Sequence, residues 1–312
     1  MGYEVELIGP EESTRLREEC ENGRMYESKA DICGVCVQLV TADRNHISMW
    51  NDNFYSMSDK VRAHARIYCI NDPESRMHVR YDVSSSLLFL YNFDYYGWIK
   101  SIALGVAGNI LEDSYGIMSV HGAVLDVDGS GVTLIAPSKT GKTTQSWGLL
   151  RLPNTRLISD DWYFVTFGKG RPFVNGSEKN CYIDADIGDV WSEYKDLVDV
   201  VRFDNKGRGI GNVRWVKGND SVTEHTSVRD IILLKRDSSD PSIVTELTPQ
   251  EALGYLRSHD FCNPHQLVRD ERRMALRESL FTRYLSECRI HMVNTVLTAE
   301  ETQERIRSII RE

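Results

Sequence analysis

The chain has 312 residues, of which 41% are hydrophobic and 27% are charged, a balance typical of a globular protein rather than a disordered one. Its formal net charge at pH 7 is −9, and its pI is near 5.5. Because nucleic acids and acidic membranes bind basic faces, this charge disfavours both as general partners. We therefore predict no nucleic-acid partner and no membrane partner.

Two further features favour a cytoplasmic protein. The first seven residues already carry two acids and contain no apolar run, unlike a secretory signal. The longest apolar stretch, residues 102–111, is too short to span a membrane.

The seven cysteines are scattered, as expected for reduced thiols. Cys33 and Cys36 have the spacing of a metal or redox pair, but their apolar surroundings favour a buried strand.

Residues 1–97 are predicted to form a smaller, β-rich region whose role the sequence leaves open. Its apolar and β-branched segments predict strands at 32–41, 78–83 and 87–93, after a short helix at 11–20. Chemical motifs are absent from this region. A helix at 98–113 then begins the second predicted domain, residues 98–312.

The second domain alternates strands and helices, which predicts an α/β fold with a mixed sheet. The predicted strands are 118–127, 132–135, 157–159, 163–167, 172–174, 228–234 and 290–297. The predicted helices are 143–152, 248–259, 269–288 and a terminal helix after Thr298. Capping-box patterns begin the helices at Thr248 and Thr298. A further helix is predicted at 183–201, where Asp184, Asp186 and Asp189 would form a solvated face.

Residues 136–144, Ala-Pro-Ser-Lys-Thr-Gly-Lys-Thr-Thr, have the spacing of a phosphate-binding P-loop. The nucleotide-binding residues are predicted to be Pro137, Ser138, Lys139, Thr140, Gly141, Lys142, Thr143 and Thr144. Gly141 lets successive N–H groups face the phosphates, and Lys142 places a charge on them. The Thr143 hydroxyl can ligate Mg²⁺. The sequence therefore predicts a nucleoside triphosphate, with ATP as donor and the base left open.

A pair of acids, Asp160 and Asp161, ends the strand that follows the P-loop helix. Neighbouring residues of a strand point to opposite faces, so the two carboxylates should have different roles. One can hold Mg²⁺, and the other can accept the proton of an attacking hydroxyl.

His121-Gly122-Ala123, the Asp128–Gly131 hairpin, the P-loop and the Asp pair together resemble the HPr kinase/phosphorylase family, which shares its P-loop core with phosphoenolpyruvate carboxykinases. The resemblance is good over residues 118–166. It implies ATP-dependent phosphorylation of a hydroxyl, on a protein or peptide serine or a small-molecule alcohol. It also implies Asp160 as base, Asp161 with Thr143 as metal ligands, His121 near the γ-phosphate and a homo-oligomer. Arg208, in a Gly-rich segment similar to one of the family, would reach the transferring phosphate.

The P-loop departs from the family pattern at three positions. Ala136 and Lys139 replace glycines, and Thr143 replaces serine. These changes indicate a divergent member with a different acceptor, recognised by residues 1–97 and 176–226. Two alternatives remain: a non-catalytic nucleotide-sensing module and, less favoured, a carboxykinase-like lyase.

Overall fold

The computed structural model describes residues 2–312, which divide into two units. The first unit contains residues 2–115 together with His265–Leu267. The second contains Gly116–Pro264 and Val268–Glu312. Among residues 2–312, no helix combines the length and apolar character needed to cross a membrane.

The first unit is a seven-stranded mixed sheet with three helices. Its elements in chain order are β1 (Glu4–Leu7), α1 (Pro10–Glu21), β2 (Tyr26–Ile32), β3 (Val35–Thr41), α2 (Arg44–Asn53), β4 (Tyr55–Ser56), β5 (Ala65–Ile70), β6 (His78–Asp82), β7 (Leu87–Tyr91) and α3 (Tyr96–Tyr115). The strand order is β1-β6-β7-β5-β3-β2-β4. β3, β5 and β7 run parallel at the centre, and β3 and β7 are buried along their whole length.

Two predictions for this region need correction in detail. The segment 32–41 is not one strand, because Cys33 (φ 52°) and Gly34 (φ 83°) form the turn between β2 and β3. Cys36 is buried in β3. The helix predicted to begin the second domain, α3, belongs to the first unit because it packs on β3 and β5.

The second unit carries an eight-stranded mixed sheet and a separate two-stranded one. Its strands are β8 (Met118–Val127), β9 (Ser130–Ile135), β10 (Thr155–Ser159), β11 (Trp162–Thr166), β12 (Phe173–Gly176), β13 (Cys181–Asp184), β14 (Arg208–Gly211), β15 (His225–Lys235), β16 (Val244–Glu246) and β17 (Arg289–Asn294). Its helices are α4 (Lys142–Leu149), α5 (Ile187–Val190), α6 (Lys195–Val200), α7 (Arg214–Lys217), α8 (Pro249–Ser258), α9 (Glu271–Ser286) and α10 (Ala299–Arg311). The prediction of an α/β fold with a mixed sheet is confirmed at this level.

The parallel strands of this sheet bring three chain segments to one edge. β9 pairs with β8 on one side and with β15 on the other, and β15 pairs with β17. β9, β15 and β17 run in the same direction, with Leu233 opposite Ile135 and Lys235 opposite Asn294. The residues that follow these strands therefore share the carboxyl edge, where α/β sheets commonly bind ligands.

Alternation along β15 explains why helices cover both faces of the sheet. Ile232 and Leu234 belong to one apolar cluster, which also contains side chains of α4 and α10. Ile231 and Leu233 belong to the other, with side chains of α8 and α9. A strand with both faces covered must be apolar throughout, as this one is over residues 231–234.

Most predicted elements occur close to their predicted positions. β8 has the predicted bounds, and both capping boxes form, at Thr248 with Glu251 and at Thr298 with Glu301. The helix predicted at 183–201 is wrong: the segment contains the end of β13 and the short helices α5 and α6.

Candidate functional site

The loop between β9 and α4 has the backbone geometry expected of a phosphate cradle. Gly141 is the N-cap of α4 and adopts the left-handed conformation with φ 95°. Lys139 also adopts it, with φ 67°. Ala136 is fully buried in the apolar cluster under α4, and its φ is not positive. An alanine at this position therefore causes no backbone strain.

Lys139 keeps a conformation that normally favours glycine. A side chain in the left-handed region costs roughly 1–2 kcal/mol. The lysine therefore adds a positive charge at a left-handed position of the loop. Lys139 is exposed and lines the cavity described below.

Hydrogen bonds hold the loop on both sides. The Thr140 hydroxyl donates to the Pro137 carbonyl at 2.7 Å. The hydroxyl of Thr295, which follows β17, donates to the Thr140 carbonyl at 2.8 Å. The indole N–H of Trp191 donates to the Thr144 carbonyl at 2.8 Å. These contacts preorganise the loop before any ligand arrives.

Three titratable side chains meet at the start of α4. The ammonium of Lys142, the first residue of the helix, lies 2.8 Å from Oδ1 of Asp161 and 3.3 Å from Nε2 of His121. The same Oδ1 lies 3.1 Å from Nε2 of His121. The sequence prediction named all three residues, and the fold brings them together.

His121 is buried on β8, and its environment favours the neutral imidazole. Burial lowers the pKa of His121, as does the Lys142 cation, and contacts with Asp161 oppose them. Nδ1 of His121 lies 2.6 Å from the Cys262 carbonyl, and the Trp162 ring lies 5.8 Å from the imidazole. At Gly122, next in the strand, a Cβ would come within 2.8 Å of the Leu134 carbonyl, which explains the glycine after His121.

A β-bulge decides which acid of the pair joins this cluster. Residues 155–157 of β10 pair with β8 in one register, and the register shifts by one residue before Ser159. The extra residue places Asp161 opposite Gly122, whose N–H donates to the Asp161 carbonyl at 2.8 Å. The side chain of Asp160 instead lines a separate small cavity with Glu178, Lys179 and Asn180.

The role that the resemblance implies for Asp160 therefore has no support in this geometry. Asp160 is buried and is not among the described residues that line the P-loop cavity. Adjacent side chains of a strand point to opposite faces, and only one of them can face the loop.

The P-loop faces a cavity of about 410 Å³. It is lined by His121, Ala136, Pro137, Ser138, Lys139, Gly141, Lys142, Thr143, Thr144, Asp161, Asp184, Arg208 and Arg236. These residues include four lysines and arginines but two aspartates, so the lining carries an excess of positive charge. Such a cavity suits a polyanion. Of the predicted loop residues, Thr140 is held within the loop and is not part of the lining.

Arg208 lines the cavity together with Asp184, which the sequence analysis placed on a solvated helical face. Arg208 and Asp184 are paired across β13 and β14, and Nε of Arg208 lies 2.5 Å from Oδ1 of Asp184. Asp184 is therefore a cavity residue and not part of a solvated helical face. Burial raises the pKa of Asp184, against the lowering effect of the Arg208 cation.

Arg236 is a cavity residue that sequence reasoning missed. It follows β15 directly, and its Nε donates to the carbonyl of Thr295 at 3.1 Å and to its hydroxyl at 3.3 Å. Its terminal Nη2 lies 3.9 Å from the position that a Cβ on Gly141 would take. The sequence feature that could have identified Arg236 is its position directly after a buried strand, which runs parallel to β9.

A strained turn supplies the carbonyl that contacts His121. Asp260, Phe261 and Cys262, three consecutive non-glycine residues, have φ of 53°, 52° and 54°. Each such residue costs roughly 1–2 kcal/mol. Strain of this kind persists only where the surrounding structure enforces it.

The donor set fits Mg²⁺. The ion prefers oxygen ligands and usually takes one or two from protein side chains, the rest from phosphates and water. Thr143 and Asp161 both line the cavity and offer a hydroxyl and a carboxylate. Thr143 is the residue that would hold the ion, since Oδ1 of Asp161 already lies 2.8 Å from the Lys142 ammonium and 3.1 Å from Nε2 of His121.

Comparison with solved structures gives a distant likeness. No family model matches the sequence. No curated protein matches it either. Among solved structures, the chain is similar to the HPr(Ser) kinase/phosphatase from Coxiella burnetii, with 14% identity, a TM-score of 0.37, and coverage of 62% of this chain and 88% of that chain. The likeness is too distant to bear on the chemistry, and the interpretation of the site depends on its own geometry.

Proposed function

We propose that the chain is a Mg²⁺- and ATP-dependent kinase that transfers the γ-phosphoryl group to a hydroxyl. The observation that carries this proposal is the convergence of Lys142 and His121 on one oxygen of Asp161, at 2.8 and 3.1 Å, inside the cavity lined by the P-loop. A cation, a carboxylate and a neutral imidazole at one point provide the groups that phosphoryl transfer to an alcohol requires.

The binding part of the proposal follows from the cavity lining. The N–H groups at the start of α4 and the ammonium of Lys142 would take the β- and γ-phosphates. The guanidinium of Arg236, held by Thr295, adds a planar donor on the same side of the loop. Mg²⁺ held by Thr143 would neutralise charge on the triphosphate as the terminal bond breaks.

Asp161, rather than Asp160, is proposed as the general base. When the triphosphate attracts the Lys142 ammonium, Oδ1 of Asp161 becomes available to the hydroxyl of the acceptor. The hydroxyl proton passes to this carboxylate as the oxygen attacks phosphorus, and ADP leaves. Arg208, paired with Asp184 at the same cavity, is placed to contact the transferring group.

The proposal is tested with γ-labelled ATP and either a cell lysate or a metabolite extract. Label in protein or in small molecules identifies the acceptor class, and ADP release measures turnover. Asp161→Asn should lower turnover by about 10³-fold, as loss of a general base does, with ATP affinity changed only a few-fold. Asp160→Asn is the matched control and should retain most turnover.

The reverse pattern, with Asp160→Asn inactive and Asp161→Asn active, would show that the base assignment is wrong. ATP binding without turnover in every extract would contradict a kinase and favour the nucleotide-sensing module.

A further inference from the structure

Asn294, the last residue of β17, and Thr295, which follows it, hold both peptide groups that flank Arg236. The N–H of Thr295 donates to the Lys235 carbonyl at 2.8 Å. The Asn294 side chain accepts from the N–H of Asp237 at 3.0 Å and donates to the Asp237 carbonyl at 2.7 Å. Asn294 and Thr295 are themselves buried. The backbone at Arg236 is therefore fixed by the neighbouring strand.

The side chain of Thr295 joins Arg236 to the P-loop. Its hydroxyl donates to the Thr140 carbonyl at 2.8 Å and accepts from Nε of Arg236 at 3.3 Å. The Thr295 carbonyl accepts from the same Nε at 3.1 Å. In the described chain these contacts use Nε alone, so the two terminal nitrogens of the guanidinium can donate to a ligand. One of them, Nη2, lies 3.9 Å from the position that a Cβ on Gly141 would take.

Arg236 brings an uncompensated charge to the cavity. Over residues 2–312 its guanidinium has no carboxylate partner, whereas the guanidinium of Arg208 pairs with Asp184. Ordering an arginine side chain costs conformational entropy, and at Arg236 no ion pair offsets that cost. An ordered cation without a counter-charge, placed beside a P-loop, favours an anionic ligand.

The place of Arg236 in the sheet indicates which phosphates it would contact. β9, which leads into the P-loop, lies between β8 and β15. Lys142 and Asp161 meet His121 of β8 on one flank of β9, and Arg236 follows β15 on the other. Neighbouring strands are about 4.8 Å apart, so the two flanks are separated by about 10 Å. A triphosphate whose terminal group lies at Asp161 would therefore present its inner phosphates to Arg236.

We propose that Thr295 positions Arg236 to bind the phosphates that remain on ADP. Thr295 is then a positioning residue, and Arg236 is the residue that contacts the nucleotide. The placement of the terminal phosphate at Asp161 rests on the proposed kinase function. Because the inner phosphates are present before and after transfer, the contact with Arg236 should lower the KM for ATP and leave kcat almost unchanged.

Calorimetric titration with ADP and with ATP tests which phosphates Arg236 contacts. Arg236→Gln should weaken the binding of both nucleotides by about ten-fold and raise the KM for ATP to a similar extent, with kcat changed less than about two-fold. Weaker binding of ATP with unchanged binding of ADP would place Arg236 at the γ-phosphate and overturn the proposal. This comparison needs no variant of the buried Thr295.

A double-mutant cycle tests the role of Thr295. Thr295→Val removes the hydroxyl, and Thr295→Ser keeps it. We expect Thr295→Val to weaken ADP binding about ten-fold in the wild-type background but about three-fold in the Arg236→Gln background, where only the Thr140 contact is still lost. Thr295→Ser should bind ADP within about two-fold of the wild-type protein. A purely structural role would give equal losses in both backgrounds, and that result would overturn the proposal.

Failure of this inference and failure of the kinase proposal give different results. Losses that add independently, in a protein that phosphorylates an acceptor, would overturn the inference alone. The expected non-additive losses, in a protein that transfers phosphate to no acceptor, would support the positioning role and refute the kinase function. A wild-type protein that binds neither ADP nor ATP would refute both.

Discussion

Two carboxylates, the buried Asp82 of the first unit and the partly exposed Asp161 of the second, have opposite kinds of surroundings. Asp82, at the end of β6 in the first unit, accepts hydrogen bonds from the hydroxyls of Ser13, Ser84 and Ser85 at 2.6–2.7 Å. Asp161, in the second unit, contacts a lysine and a histidine at an open cavity. Neutral donors enclose the first carboxylate, whereas groups that can exchange protons or charge surround the second.

The difference separates a structural carboxylate from a candidate catalytic one. Hydroxyl donors satisfy the hydrogen-bonding capacity of the Asp82 carboxylate, and they do not contact a ligand site. Substitution of Asp82 should therefore change only the stability of the protein. A bound polyanion would attract the Lys142 partner of Asp161 and change the contacts of this carboxylate. Substitution of Asp161 should therefore change ligand binding and turnover. The predictions below are ways to test this contrast.

The largest effect is expected at Lys142. Lys142→Ala removes the cation that would contact the β- and γ-phosphates and that lies 2.8 Å from Oδ1 of Asp161, so nucleotide turnover should fall by at least about 10³-fold. ADP release measures it. Lys169→Ala, an exposed lysine in the turn between β11 and β12, is the control and should leave turnover unchanged. Equal loss in both variants would contradict a specific role for Lys142.

Asp82→Asn should lower the free energy of unfolding by about 2 kcal/mol and leave nucleotide affinity unchanged. Burial acts to raise the pKa of Asp82, but hydrogen bonds from Ser13, Ser85 and Ser84 outweigh it, and the pKa lies below its ordinary value of 3.8. The stabilisation is therefore present above about pH 4 and is lost as the pH falls through the lowered pKa.

Urea unfolding at pH 7 and at pH 3 measures this effect, with the exposed Asp59→Asn as control. The difference between the wild-type protein and Asp82→Asn should shrink at the lower pH. A difference that grows at low pH would show that the carboxylate form is not the stabilising one.

Arg236→Gln should weaken nucleotide binding about ten-fold, because it removes charged donors at the loop while Thr295 stays in place. Arg236→Lys should give a smaller loss, since it keeps the charge without the planar fork. Calorimetric titration with ATP measures both, and Arg305→Gln on α10 is the control for a change in net charge. Unchanged affinity in Arg236→Gln would remove this residue from the binding site.

The smallest effect concerns the backbone at Lys139. Glycine normally destabilises a protein relative to alanine, but in the left-handed region the order reverses. Lys139→Gly should therefore be more stable than Lys139→Ala by about 1 kcal/mol. Thermal unfolding of the two variants, which share the loss of charge, isolates the backbone effect. A less stable glycine variant would show that Lys139 is not held in this conformation.

The sequence predicted correctly those features that depend only on local backbone chemistry. The P-loop spacing, the strand before it and the capping boxes at Thr248 and Thr298 were all legible, because each depends on local backbone chemistry. Lys142 was named from the P-loop spacing, Asp161 from the acid pair that follows the P-loop helix, and His121 from the resemblance to the HPr kinase/phosphorylase family.

The remaining features depend on pairing between distant segments. The bulge in β10 fixes that Asp161 rather than Asp160 faces the loop, and no local pattern marks it. Asp184 reaches the cavity only because β13 pairs with β14, two strands too short to recognise. Arg236 belongs to no motif, and its place follows from the parallel neighbours of β15.

Trp162 lies beside the imidazole of His121, with its ring 5.8 Å away, and is almost fully buried. Indole emission is sensitive to a nearby positive charge. A polyanion that draws the Lys142 ammonium away from His121 would therefore change the fluorescence of an existing residue. The chain thus carries its own optical reporter, and rapid mixing with nucleotide could follow events at the site without an added dye.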